Sequence, residues 1–208
     1  SWIKDHLHAF FGTQAYLARN GVLKSLYTIH GPAVAPRTPG RLRVLVEGPF
    51  GVPIKNTART VRLVREAAPA EIWLLTSSKV AWYPGVDRVF SQVPIQAVPP
   101  IYRSCDVIVK LSYVEGMFGP PLEMFHCGGT AVVYMVSGHD EYIIPNKNTL
   151  VLPSDDEVGV VEQIRRLIQD PSLLANLKGE AEITAKNWPD WEHSSATFLS
   201  HLEEIVQS

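Results

Sequence analysis

The sequence predicts an α/β fold built on a doubly wound parallel sheet. Three observations carry this expectation. Six short apolar runs are separated by stretches with helical spacing. Most of these runs are continuously apolar rather than alternating, as in strands covered on both faces. After residue 153 the pattern is helical throughout. With 208 residues, 46% hydrophobic and 19% charged, the chain can bury a sizeable core. This composition excludes a disordered chain, and no apolar stretch approaches the roughly 18 residues of a membrane span. A net charge of −2 argues against a surface that coats nucleic acid. Two cysteines, Cys105 and Cys127, are too few for a disulfide scaffold and indicate a reducing compartment.

Residues 2–11 have the spacing of a helix and 14–17 that of a strand. The Pro- and Gly-rich stretch 32–41 (PAVAPRTPGR) reads as a linker. The first sheet strand is 42–46 (LRVLV), ended by Glu47, Gly48 and Pro49. In 56–67, Val61, Leu63, Val64 and Ala67 recur with helical spacing among basic residues. Strands follow at 71–75 (EIWLL) and 87–91 (DRVFS). Residues 95–105 form a short helix despite Pro99 and Pro100, and 107–111 (VIVKL) a fourth strand. A short helix opens at Gly119 and stops at Gly128 and Gly129; 130–136 (TAVVYMV) and 149–152 (TLVL) complete the six strands. The run 154–157 (SDDE) starts a helix, its acids placed where the helix dipole favours them. That helix runs to 169 with Val158, Val161, Ile164, Leu167 and Ile168 on one face. Asp170 and Pro171 end it and start another, and 191–206 is a last amphipathic helix. The five tryptophans are expected mainly in the core, with Trp188 and Trp191 docking the last helix. Ligands of a doubly wound sheet sit at the carboxyl ends of its strands. A site is therefore expected in loops 47–55, 76–80, 91–95, 112–119 and 137–141.

The densest signal in these loops is 106–123 (DVIVKLSYVEGMFGPPLE). A strand ends near Ser112, a loop carries Glu115, and Gly119-Pro120-Pro121 opens a helix holding Glu123. Proline suits a first helical turn, where its missing N–H costs nothing. The N–H groups of Gly116, Met117, Phe118 and Gly119 fall near the positive end of that helix, a place for a phosphate. The two carboxylates would then flank the anion and suit hydroxyls of a sugar or ribose. A loop acid at 115 and an ordinary helix glutamate at 123 would leave the same spacing, so spacing does not choose between these readings.

These residues resemble the retaining family 4 glycosyltransferases (glycosyl transferases group 1). The family pattern is Asp-Val, a strand, then Pro-Ser-x-x-Glu-Gly-Phe-Gly-x-Pro-x-x-Glu-Ala-x-Ala-Cys-Gly-x-Pro-Val-Val. It is met here at Asp106, Val107, Ser112, Glu115, Gly116, Pro120, Glu123, Cys127, Gly128 and Val132. The stretch 137–141 (SGHDE) resembles the family's Gly-Gly-x-x-Glu turn, and 148–153 (NTLVLP) its Asn-Gly-Leu-Leu-Val-Pro strand. Asn20-Gly21-Val22 resembles the start of the family's C-terminal half, and Gly48 with Lys55 its Gly-Arg…Lys-Gly segment. The likeness runs in consistent order over residues 14–190. Departures are Leu111 and Thr130 for prolines, Ser137 for a glycine, the extra Pro121, and Phe118 with Gly119 one step late. Pro49 stands where a phosphate-binding arginine is expected.

The resemblance implies the GT-B fold, two Rossmann-like domains facing across a cleft. The N-terminal domain largely holds the acceptor and the C-terminal one the nucleotide-sugar donor. This chain resembles the C-terminal half: 1–20 as the tail of a preceding domain, 21–187 as the three-layer Rossmann-like donor-binding domain, 188–208 as a crossover helix. The implied reaction is sugar transfer from a nucleotide-sugar to a glycan or glycoconjugate acceptor with retention, with the isolated domain inactive. Glu115 would be the catalytic residue meeting the donor sugar, and Glu123 would take the ribose hydroxyls. Gly48, Lys55 and the loop Gly116, Met117, Phe118 and Gly119 would hold the diphosphate. Gln92 and Val93 would border the base, and His139 is a further candidate. His126, Cys105 and Cys127 are expected to be structural.

No metal or other cofactor is expected, since the chain has no Asp-x-Asp pair. The implied partners are the nucleotide-sugar donor and a glycan or lipid-linked acceptor held through the preceding domain, with no nucleic acid. The implied location is the cytoplasm or, by peripheral association, the cytoplasmic membrane face. Arg59, Arg62 and Arg65 would form a solvated face or touch anionic lipid. Two rival readings stay open. One is a non-catalytic nucleotide-sugar-binding module, which the missing arginine favours. The other is a nucleotide-sugar 2-epimerase-like enzyme, which shares the fold. A dehydrogenase is disfavoured because no Gly-x-Gly-x-x-Gly follows a strand.

Overall fold

One sheet organises the chain in a computed structural model that describes residues 2–207; Ser1 and Ser208, the ends of the expected tail and crossover segments, lie outside the described residues. The strands are β1 (Arg43–Glu47), β2 (Glu71–Thr76), β3 (Arg88–Ser91), β4 (Val107–Lys110), β5 (Thr130–Tyr134) and β6 (Thr149–Leu152). Every neighbouring pair is parallel, in the order β3-β2-β1-β4-β5-β6. The order reverses between β1 and β4, so the loops after these two strands part and open a crevice there.

The helices are α1 (Trp2–Phe11), α2 (Thr57–Ala67), α3 (Val98–Ser104), α4 (Gly119–His126), α5 (Glu157–Gln169), α6 (Pro171–Asn187) and α7 (Trp191–Gln207). Alternate strand residues explain the continuous apolar runs. Val44, Val46, Val107, Val109 and Val132 pack with Val61, Val64, Val160 and Ile164 of α2 and α5. Leu45, Ile108, Ala131 and Val133 pack on the other face with Ile101, Leu122, Phe125 and Ala181 of α3, α4 and α6. Each such large side chain contributes roughly 1.5–3 kcal/mol on burial. The result is the expected three-layer, doubly wound Rossmann-like sheet.

Local signals explain the helix starts. In α3, Pro99 and Pro100 occupy the first turn, after a 3-10 turn at Ile95–Ala97, where no intrahelical N–H is lost. Asp156 caps α5 by accepting from the Gly159 N–H at 2.9 Å, and Asp170 caps α6 by accepting from Leu173 at 2.9 Å.

Several expectations need correction. No strand forms at 14–17: the segment is irregular, and Tyr16 instead donates its hydroxyl to Glu204 of α7. The strand expected over 130–136 ends at Tyr134, because its partner β6 stops before Pro153, which has no N–H to extend the ladder. Val158 is 70% exposed. At 100° per residue it lies about 120° around the helix from the buried Ile164, so the buried face of α5 is Val160, Val161, Ile164 and Leu167. Of the five tryptophans only Trp73 and Trp188 are buried; Trp2, Trp82 and Trp191 are exposed. Trp188 packs against Tyr142 and donates to the Asn20 carbonyl, whereas the largely exposed Trp191 docks little. The stretch 32–41 is a strap rather than a free linker. The Val34 N–H donates to Pro100, and Arg37 donates to the carbonyls of Cys105 and Cys127.

Candidate functional site

The site is assembled at the strand-order reversal. The loop after β1 makes a 3-10 turn, Pro53–Lys55, followed by Asn56 in the left-handed region. Two hydrogen bonds tie this loop to the one after β4: Tyr113 N–H donates to the Ile54 carbonyl at 2.8 Å, and Asn56 Nδ2 to the Leu111 carbonyl at 3.2 Å. They bring Lys55 to Glu115, Nζ to Oε2 at 2.8 Å. Glu115 is 9% exposed, and its Oε1 is buried without a hydrogen-bond partner. Gly48 is required where it stands: φ is +155°, and a Cβ there would lie 2.5 Å from Thr57 Oγ1.

A cavity of about 380 Å³ opens at Glu47, the last residue of β1. Gln92 and Val93 of one loop and Glu123 of α4 line it. Tyr27, Tyr102 and Glu47 are also in its lining. Burial pushes the Glu123 carboxyl up to about 7; hydroxyls donated by Tyr102 and Tyr27 oppose this, while the charge of Glu47 adds to it. Burial likewise raises Tyr102 well above its ordinary value, so it stays a hydroxyl donor.

The loop ahead of α4 differs from the expected cradle. Phe118 has φ −81° and ψ 70°, an inverse γ-turn, and Gly119 N–H donates to the Met117 carbonyl at 2.9 Å. Pro120 and Pro121 follow and carry no N–H. The N–H groups left for an anion are therefore those of Gly116, Met117 and Phe118, which have no acceptor among the described residues. The Phe118 side chain is fully buried in the core, and its carbonyl accepts from the Tyr142 hydroxyl, so only its backbone can serve the site.

His139 sits in a 3-10 turn (His139–Glu141) and its Nδ1 meets the Val136 carbonyl rather than Glu115, Lys55 or Glu123. His126 is buried, with Nδ1 on the Leu122 carbonyl at 2.8 Å, as a structural histidine. Both thiols are buried; burial pushes Cys127 up to about 12 and Cys105 further. Arg59 and Arg62 pair with Glu157 of α5, and Arg59 also with Asp155 and Tyr113. They staple α2 to α5 and do not replace the cation absent at Pro49.

Four residues of this region were not singled out by the sequence: Glu47, Lys110, Tyr27 and Tyr102. A lysine inside the apolar run 107–111 and a glutamate closing 43–47 were visible signals, because such charges are rarely buried without a partner. The tyrosines left no local signal.

Residues 87–184 match the family model described as glycosyl transferases group 1. No curated protein sequence matches the chain. Among solved structures, a sucrose-phosphate synthase from Thermosynechococcus elongatus aligns with TM-score 0.81 and 18% identity, covering 100% of this chain and 57% of that one. The Anabaena protein HepE in complex with UDP-glucose aligns with TM-score 0.74 and 14% identity over 91% of this chain and 57% of its own. The C-terminal domain of a glycosyl transferase group 1 family protein from Francisella tularensis aligns with TM-score 0.64 and 16% identity, over 80% of this chain and 97% of that one. The chain thus spans just over half the length of the first two. At these identities the likeness is one of fold. The chain is a Rossmann-like domain of the GT-B glycosyltransferase fold, carrying the glycosyl transferases group 1 pattern over residues 87–184.

Proposed function

We propose that this chain is the donor-binding part of a glycosyltransferase that moves a sugar from a nucleoside-diphosphate sugar to a glycan or glycoconjugate acceptor with retention. The observation that carries the reading is the Lys55–Glu115 pair at the strand-order reversal, together with the cavity that gathers Glu123, Gln92 and Val93 around the end of β1. HepE, which shares the fold, is described in complex with UDP-glucose.

In this reading the bond from the anomeric carbon to the diphosphate breaks, and the electron pair leaves with the diphosphate. The acceptor hydroxyl oxygen bonds to the anomeric carbon and its proton passes to the departing phosphate oxygen. Charge on the diphosphate meets Lys55 and the N–H groups of Gly116, Met117 and Phe118, contacts worth roughly 2.7–4 kcal/mol per donor in a water-excluded site. Glu115 faces the positive charge that develops on the sugar. Glu123 accepts ribose hydroxyls, and Gln92 and Val93 border the base. Residues 2–20 and α7 would adjoin a second domain that holds the acceptor, with no cofactor required.

Calorimetry with UDP, GDP, ADP and dTDP and their sugars tests this. At least one is expected to bind, and Glu123→Ala is expected to weaken it more than inorganic diphosphate. A folded protein that binds none overturns the reading. The rival reading, a binding module without turnover, is favoured by Pro49 and by the Gly119 N–H being spent within its own turn. Donor binding without sugar transfer by the full-length protein would select it.

A further inference from the structure

The buried ion pair behind Glu115 has no place in the reading above. Period-two alternation along β1 and β4 turns Glu47 and Lys110 to the same face of the sheet as Leu45 and Ile108, the face covered by α4. Both residues end their strands at the point where strand order reverses. Lys110 is 3% exposed. Its ammonium donates to Glu47 Oε2 at 2.5 Å and to the Glu47 carbonyl at 3.3 Å. It also lies 3.8 Å from Oε1 of Glu115, the buried oxygen that takes no hydrogen bond. Charges therefore alternate along one line: Lys55, Glu115, Lys110, Glu47. Glu123 lines the same cavity as Glu47 and feels its charge, and Arg59 is engaged with α5.

This order has a consequence for anion binding. A phosphate entering the site competes with Glu115 for Lys55, whose ammonium lies 2.8 Å from that carboxylate. When Lys55 leaves, Glu115 keeps a buried carboxylate that needs another cation. Lys110 is the cation in place, and Glu47 prevents it from leaving. We propose that Lys110 is a positioning residue for Glu115: anchored by Glu47, it holds that carboxylate and balances its charge so that Lys55 is released to the diphosphate. It supplies inside the protein part of the charge that Pro49 does not supply in the loop. The inference rests on the donor-site reading.

Calorimetry on the 208-residue chain with inorganic diphosphate and with UDP tests it. Lys110→Met is expected to weaken inorganic diphosphate by about tenfold, because Lys55 is then held by an otherwise unbalanced Glu115. Lys110→Arg, which keeps the charge, recovers most of this loss. Lys110→Met combined with Glu115→Gln binds diphosphate at least as well as the unmodified protein, since nothing then retains Lys55. A merely structural lysine would give no such recovery. If Lys110→Met fails to fold, Lys110→Met with Glu47→Gln removes both buried charges, and the same Glu115→Gln comparison is made on it. Unaltered diphosphate affinity in folded Lys110→Met protein, or a loss that Glu115→Gln does not reverse, overturns the proposal while leaving the donor site standing. Absence of binding by the unmodified protein overturns both.

Discussion

Lys55 and Glu115, 60 positions apart in the chain, form a 2.8 Å ion pair between the loops that follow β1 and β4. The pair joins the two loops that flank the strand-order reversal, and it makes the candidate cation of the site the partner of its candidate catalytic acid. An anion entering the site competes with Glu115 for Lys55. Glu115→Gln is therefore expected to tighten inorganic diphosphate by about threefold to tenfold, and Lys55→Ala to weaken it by at least about tenfold. Titration calorimetry reads both, and weaker binding by a folded Glu115→Gln protein would contradict the competition.

Gly138 holds the turn after β5 against the loop after β4. Its φ is +77°, and a Cβ there would lie 2.5 Å from the Gly116 carbonyl oxygen. Gly138→Ala is expected to cost about 2–3 kcal/mol from the left-handed backbone and the clash together. It should also weaken diphosphate binding by displacing Gly116. Denaturant unfolding and calorimetry measure the two effects separately.

Glu123 links stability to pH. With its carboxyl raised to about 7 by burial, the folded protein keeps a proton that the unfolded chain has released above its ordinary value of 4.5. Stability from this group is therefore full at the acid end of the window and falls as pH rises from about 4.5 through 7, by up to about 3 kcal/mol. Glu123→Gln is expected to remove that slope. Urea unfolding at pH 5 and pH 8 checks it, and equal slopes in the two proteins would refute the assignment.

Asn148 is a buried side chain whose amide makes three hydrogen bonds. Its Oδ1 accepts from Ile144 N–H at 2.8 Å, while Nδ2 donates to the Tyr142 carbonyl at 2.8 Å and to Thr184 Oγ1 at 2.9 Å. It ties the entry of β6 to α6. Asn148→Ala is expected to destabilise by about 1–3 kcal/mol, because the buried Tyr142 carbonyl and the part-buried Ile144 N–H lose their partner. A thermal-unfolding shift of less than a degree would be inconsistent with this.

What could be read in the chain beforehand followed the range of the forces involved. The six buried runs, the prolines tolerated at the start of α3 and the acids that cap α5 and α6 are local matters of propensity and capping, and they were legible. The strand wrongly expected at 14–17 shows where local pattern fails. A strand needs an edge to pair with, and that segment meets the side of α7 instead. Val158 failed for a different reason: the buried stripe of α5 is centred by where the sheet lies, which apolar spacing alone does not locate.

The site divides in the same way. Glu115, Glu123 and Lys55 stood out by type and spacing, because charged residues next to glycine- and proline-rich loops at strand ends are unusual. Their roles in one another's environment did not. Lys55 reaches Glu115, and Lys110 reaches Glu47, only because β1 and β4, far apart in sequence, become neighbours where the sheet reverses its order. The spent N–H of Gly119 and the burial of Phe118 are set by core packing around α4. By itself the sequence determined which segments are strands and helices and which side chains carry charge. Tertiary structure decided which charges meet, since ion pairing and burial depend on distances that close only when non-consecutive strands pair.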